Sequence, residues 1–423
     1  MPNQKTTLYM KDEILSNMGN PIQLEKLYRS DKTAFKNAFN VLYPELVNSS
    51  ATTFWHARLN FSREEISWGN RKELIFIILG CILAGVIARI PDIFQIDKDY
   101  FYPRNVGFIV FPVLSAFFAW RNKLSAGKCA FIGAATLAGL IFINLLPNNG
   151  HSDTVILSCV HLLLFLWSIL GFSFVGGKHN DVEKRLGFLS YNGDLIVMTT
   201  LIVIAGAIMT GVTIGLFSLI GFQIEEFYFE NIVVFLLPSA PILGTFLTQT
   251  NPQLVGKVSP VIAKIFSPLV LIMLVIYLVA ILYSGKDPYN DREFLFLFNA
   301  LLIGVMAIIF FSVAEASRSG KSQMELWVLF LLSAVTIIVN GIALSAIIYR
   351  ISTLGITPNR AAVFGGNVLI MINLLLVTFQ LLRVLRRKTE IPTVGSAISA
   401  YLPVYAAWTV VVTFIFPFLF GMK

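Results

Sequence analysis

Eleven long apolar runs follow one another through this chain, and they limit its possible folds more than any other feature. About 20 apolar residues in an α-helix rise about 30 Å, which matches the hydrocarbon core of a bilayer. A backbone in lipid must bond its own N–H and C=O groups, so each run is predicted to be a helix. The predicted spans are 74–90, 106–120, 129–146, 154–175, 195–220, 232–247, 261–283, 294–314, 326–349, 361–382 and 398–420.

The shortage of charge argues against an ordinary soluble domain. Only 13% of the 423 residues are charged and 56% are hydrophobic, whereas a typical soluble domain has about 25% charged residues. The alternative, a large soluble all-α protein, would leave much apolar surface in contact with water. The predicted fold class is therefore all-α: a polytopic helical membrane protein with about eleven transmembrane helices and membrane lipids as its partners.

Lysine and arginine residues predict the orientation of these helices. Sixteen of the 32 lie in alternate gaps between runs, eight lie in the opposite gaps or ends, and eight precede the first run. Because basic residues accumulate on the cytoplasmic side, the richer gaps are predicted to be cytoplasmic. The N-terminus is then cytoplasmic and the C-terminus outside. The predicted domains are a cytoplasmic short-helix region at 1–70 and a transmembrane helical bundle at 71–423.

The region before the first run has an ordinary soluble composition. Its apolar residues recur at helical spacing: Leu24, Leu27, Phe35, Phe39, Leu42, Phe54, Trp55 and Leu59. We expect two to four short helices, although about 70 residues are marginal for an independent core. One interpretation is that residues 8–60 dock a cytoplasmic protein partner. The alternative is simple packing at the membrane edge.

Two arginines, Arg350 and Arg360, bracket a short polar gap between two late runs. They lie on the predicted outer side, where the positive-inside tendency disfavours them. A guanidinium group can bind carboxylate or phosphate through two N–H groups. Thr357 as an N-cap and Pro358 in the first turn also predict a helix start. The N-terminal end of a helix carries partial positive charge, which favours the binding of anions. Our hypothesis is an anion site at the outer mouth, formed by Arg350, Thr357, Asn359 and Arg360.

The alternative for this gap needs no ligand. Gly355 would turn the chain, Thr357 and Pro358 would start the next helix, and the arginines would bind lipid head groups or acidic side chains. The acidic candidates are Glu225, Glu226, Glu230, Asp287 and Asp291.

Polar and charged residues within the predicted spans are scarce. Such residues are costly in lipid and often functional, although asparagines there also join helices through hydrogen bonds. Arg89 and Asp92 could pair on one helix face, and Glu315 could pair with Arg318. The candidate intramembrane polar residues are Arg89, Asp92, Glu315, Asn340, Asn367 and Asn373. Their alternatives are helix–helix hydrogen bonding and the lining of a solute path.

The sixth run contains Pro238 and Pro241, followed by Thr245. Proline removes a backbone donor and clashes with the preceding turn. Short spans interrupted by proline mark the broken helices of some transporters, whose freed carbonyls coordinate ions. The two interpretations are therefore a broken helix and a simple proline kink.

Motifs for other functional classes are missing from the sequence. There is no H-E-x-x-H, no G-x-x-x-x-G-K-[ST] and no G-x-S-x-G, so no enzyme constellation is predicted. The three cysteines and four histidines lack metal-ligand spacing, and no metal or cofactor is predicted. The net charge of +8 is accounted for by cytoplasmic loops, so nucleic-acid binding is not supported.

Three segments resemble a known family. The stretch "YRISTLGITPNRAAVFGGN", with Arg350, Gly355, Thr357, Pro358 and Arg360, is similar to a motif of bacterial multi-pass membrane proteins grouped as domain of unknown function 4153. "DPYNDREFLFLFNALLIG" and "NPIQLEKLYRSDKTAFKNAFNVLYPEL" also look like family segments. The resemblance implies a multi-pass protein of the bacterial inner membrane. It implies no established activity and no catalytic residues.

Three functional classes stay open. The first is transport of a small solute or ion, with an anion as one candidate, which predicts a polar cavity near the sixth run or the two arginines. The second is a membrane scaffold or sensor, which predicts a dry bundle and an exposed apolar patch on the N-terminal helices. The third, a membrane-embedded enzyme, is the least favoured because the sequence contains no reactive constellation.

Overall fold

A computed structural model describes residues 3–46, 50–60, 69–148, 152–177, 181–219, 222–256, 258–284, 289, 292–319 and 323–422. Every regular element within those ranges is helical. The chain divides into two compact units, Met1–Ser67 and Trp68–Lys423. The all-helical prediction is therefore confirmed for the part of the chain that the structure describes.

The described residues of the first unit form four helices. They are α1 (Asn3–Ser16), α2 (Pro21–Ser30), α3 (Lys32–Leu42) and α4 (Ser50–Asn60), with a 3₁₀ turn at Tyr43–Glu45. Asn20 caps α2 by accepting from the Gln23 N–H at 3.2 Å. Asp31 caps α3 by accepting from the Ala34 N–H at 2.9 Å. These caps satisfy backbone donors that a helix start leaves unpaired.

An aromatic core holds the first unit together. Phe35 and Phe39 are 0% exposed and Trp55 is 4% exposed. The Phe35 ring lies 5.2 Å from the Trp55 ring and 5.8 Å from the Tyr28 ring, between centroids. Phe54, also predicted to be an apolar member of its helix, is instead 60% exposed. One turn of helix therefore presents one aromatic side chain inward and its neighbour outward.

Within its described residues, the second unit contains eleven long helices. We number them α5 to α15: Arg71–Ala88, Lys98–Arg121, Ala126–Leu145, Asp153–Val175, Val182–Leu219, Val234–Thr250, Val258–Ser284, Arg292–Ser319, Gln323–Leu354, Pro358–Leu385 and Ile391–Val410. A five-residue helix, Ile90–Phe94, follows α5. A π-helical turn, Phe229–Val233, precedes α10, and another, Val411–Ile415, follows α15.

Nine helical segments in the described part of the chain are long and apolar enough to cross a membrane. They include every predicted span except the first and the seventh, which lie on α5 and α11. Many of their large apolar side chains are exposed, such as Ile208 at 63% and Met209 at 67% on α9. Such extended apolar surface marks contact with a membrane or a partner. The chain is therefore a multi-pass membrane protein by its helices, while the total of eleven spans stays a prediction.

Several helices extend beyond the apolar runs that predicted them. The second span was predicted at 106–120, but α6 starts at Lys98, where Asp97 accepts from the Asp99 N–H at 3.0 Å. The fifth was predicted at 195–220, but α9 runs from Val182 to Leu219. Polar turns continue these helices because caps and packing, as well as hydropathy, determine where a helix starts.

The sixth span is continuous, so the broken-helix interpretation is wrong. Helix α10 passes through both Pro238 and Pro241 without interruption. The Thr245 hydroxyl donates to the Pro241 carbonyl at 2.9 Å, and the Ser239 hydroxyl donates to the Phe235 carbonyl at 2.6 Å. The π-helical turn one turn before Pro238 adjusts the backbone locally, as prolines in membrane helices require.

Substitution of Phe35 by alanine tests the core of the first unit. Because Phe35 is 0% exposed, Phe35→Ala should destabilise this unit by about 3–5 kcal/mol. The matched control, Phe54→Ala, removes an exposed ring and should change stability by less than about 0.5 kcal/mol. Hydrogen exchange of amides in α1–α4 of the full chain measures both. Equal losses of protection in the two variants would contradict this packing.

Candidate functional site

Three asparagines from three helices meet inside the second unit. Asn340 on α13 donates through Nδ2 to the Asn367 backbone carbonyl on α14 at 3.1 Å. Asn367 donates through its own Nδ2 to Asn299 Oδ1 on α12 at 2.7 Å. Asn340 is 0% exposed and Asn367 is 2% exposed. We call these three residues the asparagine cluster. The predicted helix–helix hydrogen bonding of Asn340 and Asn367 is confirmed.

One oxygen of the asparagine cluster has no partner among the described residues. Asn340 Oδ1 is buried and accepts no hydrogen bond. An amide oxygen removed from water without a donor costs free energy, and folded proteins rarely leave one in that state. Stored strain, a functional role, bound water and a bound ion are the recognised explanations for such an exception.

A polar stripe continues from Asn340 along α13. Ser333 and Thr336 are each 0% exposed, as is Asn340. Their spacing of three and four residues places them on one helix face, over a rise of about 10 Å. Each hydroxyl donates to a carbonyl of its own helix: Ser333 to Phe330 O at 2.9 Å and Thr336 to Leu332 O at 2.6 Å. These hydroxyl oxygens keep acceptor capacity within the bundle.

Asn373 makes a second interhelical contact on α14. Its Nδ2 donates to the Tyr405 hydroxyl on α15 at 3.1 Å, while its Oδ1 is buried without a partner among the described residues. Gln380 Oε1 is also buried without a partner among the described residues. Positions 373 and 380 lie seven residues apart, which places them on nearly the same face of α14 about 10 Å apart. Unpartnered oxygens therefore occur at more than one depth of the bundle.

The polar gap that contains Arg360 forms a helix-to-helix turn. Gly355 has a φ of +77°, which suits glycine. Thr357 caps α14 by accepting from the Arg360 N–H at 3.4 Å, with Pro358 as the first helical residue. The Arg360 guanidinium donates to the carbonyls of Leu354 at 2.9 Å and Gly355 at 2.7 Å. The predicted helix start is confirmed, and Arg360 neutralises the carbonyl end of α13.

The anion-site hypothesis for this gap stays a prediction. Arg350, Asn359 and Arg360 are all half-buried. Neither arginine forms an ion pair with an acidic side chain among the described residues. Two of the acidic candidates, Asp287 and Asp291, lie outside the described residues.

Near the end of α5 the predicted pairing of Arg89 with Asp92 is wrong. The Asp92 carboxylate pairs with Lys98 Nζ at 2.8 Å. Arg89 instead donates to Asn231 Oδ1 in the π-helical turn before α10. Asp92 lies on the short helix Ile90–Phe94, of which Arg89 is the N-cap residue, so the pairing rule for one continuous helix does not apply.

Glu315 on α12 is 5% exposed and engaged with the rest of the protein. Its predicted partner, the Arg318 side chain, lies outside the described side chains. Thr245 is 0% exposed and shares a hydrogen bond of 2.8 Å with the Tyr191 hydroxyl on α9. Thr245 therefore joins two helices, and it lies on a helix that is continuous.

A buried arginine on α6 escaped prediction. Arg104 is 5% exposed, and its guanidinium donates to carbonyls at the end of α7: Ile143, Leu146 at 3.3 Å and Pro147 at 3.0 Å. These carbonyls form the negative end of a helix, so they stabilise a cation without a carboxylate. The signal that could have found Arg104 is the N-cap pattern at Asp97, which extends α6 around it.

An asparagine pair lies beside this arginine. Asn105 Nδ2 donates to Asn144 Oδ1 at 3.0 Å, and Asn144 Nδ2 donates to Asn105 Oδ1 at 2.9 Å. The pair satisfies both amides and joins α6 to α7. Unlike the asparagine cluster, the pair leaves no amide oxygen without a partner.

Comparisons with known proteins leave the chain without an assigned family. No family model, no curated protein and no solved structure matches it. No group of three or more histidine, cysteine, aspartate or glutamate side chains suited to a metal ion occurs within the described residues.

Replacing Arg104 tests its role at the end of α7. Arg104→Leu leaves buried carbonyls without their donor and should cost about 2–4 kcal/mol of stability. The matched variant Arg121→Leu changes an exposed arginine at the other end of α6 and should cost about 1 kcal/mol or less. Thermal unfolding in detergent measures both. A larger loss for Arg121→Leu than for Arg104→Leu would contradict the assignment.

Proposed function

We propose that this protein moves a small solute or ion across a membrane along a path that includes the asparagine cluster. The observation that carries the proposal is the unpartnered Oδ1 of Asn340, on a side chain that is 0% exposed. Its hydrogen-bonding capacity is unused among the described residues, which supports its use by a passing polar species. Asn373 and Gln380 offer further unpartnered oxygens on α14.

Monovalent cations are the class that this chemistry favours. Amide and hydroxyl oxygens are ligands of hard cations, and rings of neutral oxygens select ions in channels. The cluster itself contains no carboxylate, since its three members are asparagines. Neutral oxygens bind a singly charged ion weakly enough to release it, which transport requires.

The membrane arrangement forms part of the same proposal. We place the N-terminus in the cytoplasm, the C-terminus outside and eleven helices between them, in a bacterial inner membrane. The two-to-one excess of basic residues in alternate gaps supports this orientation. The resemblance to the family grouped as domain of unknown function 4153 supports the cellular location.

A second candidate function, partner docking, rests on the first unit. A groove of about 860 Å³ there is lined by Ile22 and Phe54, which are 72% and 60% exposed. Arg29 and Arg58 lie at the groove, and both donate to Glu25 Oε1, at 2.9 and 3.2 Å. The hydrogen bond from Arg29 holds the pKa of Glu25 below its usual range. An exposed apolar patch of this kind is what a scaffold or sensor predicts.

Ion flux through reconstituted protein tests the transport proposal. Vesicles containing the full chain should take up radioactive sodium or rubidium faster than protein-free vesicles. Asn340→Leu removes an amide without changing side-chain volume much, and should reduce that flux about tenfold. Thr336→Val on the same stripe should reduce it too. Thr213→Val, which alters a threonine bonded within exposed α9, is the matched control and should leave it unchanged.

Further measurements distinguish cation transport from the anion-site hypothesis and from partner docking. Chloride uptake that is lost in Arg350→Ala and Arg360→Ala would support the anion-site hypothesis instead. Sodium and rubidium uptake that never exceeds the protein-free rate would contradict cation transport. Ile22→Asp and Phe54→Asp, in the groove of the first unit, should leave flux unchanged under the transport proposal.

A further inference from the structure

A long groove lies between α5, α6 and α7 in the second unit. Its volume is about 1170 Å³, and its walls are mostly apolar, with Phe108, Ile132 and Leu140 among them. Phe108 and Ile132 are 5% and 7% exposed and form its buried floor. The groove is open along α7, because a Cβ added at Gly133 would meet no atom within 4 Å.

The groove is about as long as the hydrocarbon core of a bilayer is thick. It is lined on α6 from Phe101 to Ala119. Eighteen helical steps rise about 27 Å, close to the thickness of the hydrocarbon core. Both α6 and α7 belong to the helices long and apolar enough to cross a membrane. An occupant of this groove is therefore a hydrocarbon chain rather than a water-soluble molecule.

Charge is concentrated at one end of the groove. Arg121 and Lys123 line that end and are exposed, and Trp120 stands beside them. Arg121 is held at the rim by a bond from Nη2 to the Gln249 carbonyl at 3.2 Å. Glu73, a carboxylate in the lining, already accepts from the Asn70 N–H at 3.2 Å as part of a helix cap. The opposite end is lined by Asn105, whose amide pairs with Asn144.

We propose that this groove binds an anionic phospholipid, with an acyl chain between α6 and α7 and the phosphate at Arg121 and Lys123. Guanidinium and ammonium groups bind phosphate through charge-assisted hydrogen bonds. An aromatic side chain at the head-group level, here Trp120, suits the boundary between chain and head group. A zwitterionic lipid would gain the same chain contacts without the same attraction at the rim.

This site is independent of the proposed transport path. The groove is formed by α5, α6 and α7, whereas the asparagine cluster joins α12, α13 and α14. Either proposal can therefore fail while the other stands.

Lipid retention by the purified full chain tests the proposal. Native mass spectrometry after incubation with phosphatidylglycerol, or with phosphatidylcholine of the same chains, counts bound lipids. The wild type should retain phosphatidylglycerol about tenfold more strongly, and Arg121→Gln with Lys123→Gln should remove that preference. Lys388→Gln, an exposed basic residue on the turn after α14, is the matched control and should preserve it.

The source of the recognised phosphate is tested by competition. Inorganic phosphate at millimolar concentration should not displace phosphatidylglycerol, because it lacks the chain. Displacement by inorganic phosphate would overturn the lipid proposal in favour of a simple anion site.

The reactivity of a native cysteine tests where the lipid binds. Cys129 lines the groove near its charged end and is exposed. In uncharged detergent, phosphatidylglycerol should slow its reaction with N-ethylmaleimide severalfold, and phosphatidylcholine should do so much less. The control reporter, Ala130→Cys in a Cys129→Ser background, lies at the same depth on an exposed position outside the lining. Its rate should not change.

Two further results would overturn the proposal. The first is equal retention of the two lipids by the wild type. The second is equal slowing at Cys129 and at the Ala130→Cys reporter, which would mean that the lipid only alters the charge of the micelle. Circular dichroism of the Arg121→Gln, Lys123→Gln variant confirms that it is folded before its lipid retention is interpreted.

Discussion

A backbone surrounded by hydrocarbon must bond its own N–H and C=O groups, and the rest of this structure depends on that requirement. It makes every long apolar run a helix. Helix α10 meets the same requirement although it contains two prolines. A π-helical turn precedes them, and the helix continues through both. At helix ends the same requirement recruits side chains: Arg360 bonds the last carbonyls of α13, and Arg104 those of α7.

Polar side chains inside the bundle obey the same rule, which makes the exceptions informative. Asn105 and Asn144 satisfy each other, and Tyr191 satisfies Thr245. Asn340 uses its donor but leaves its oxygen without a partner among the described residues. Because neighbouring amides show that complete pairing is attainable in this bundle, the open oxygen of Asn340 is an exception, and the transport proposal gives it a role.

Much of the fold could be predicted because hydropathy and capping are local properties of a sequence. The helix start at Thr357 and Pro358 and the interhelical bonding of Asn340 could be read in this way. The partners of Arg104 and Arg89 could not, since each depends on a distant helix end or turn brought near by packing. The groove beside α6 could not be predicted from the sequence either, because residues from three helices form it.

The central claim is that the chain threads a bilayer with its two termini on opposite sides. The most direct measurement fuses a reporter protein at Lys423 in a bacterial host. Alkaline phosphatase is active only outside the cytoplasm, and green fluorescent protein fluoresces only inside it. The account predicts an active phosphatase and a dark fluorescent protein at this end, with the reverse result for fusions at the N-terminus. A fluorescent, phosphatase-inactive fusion at Lys423 would contradict the eleven-helix arrangement.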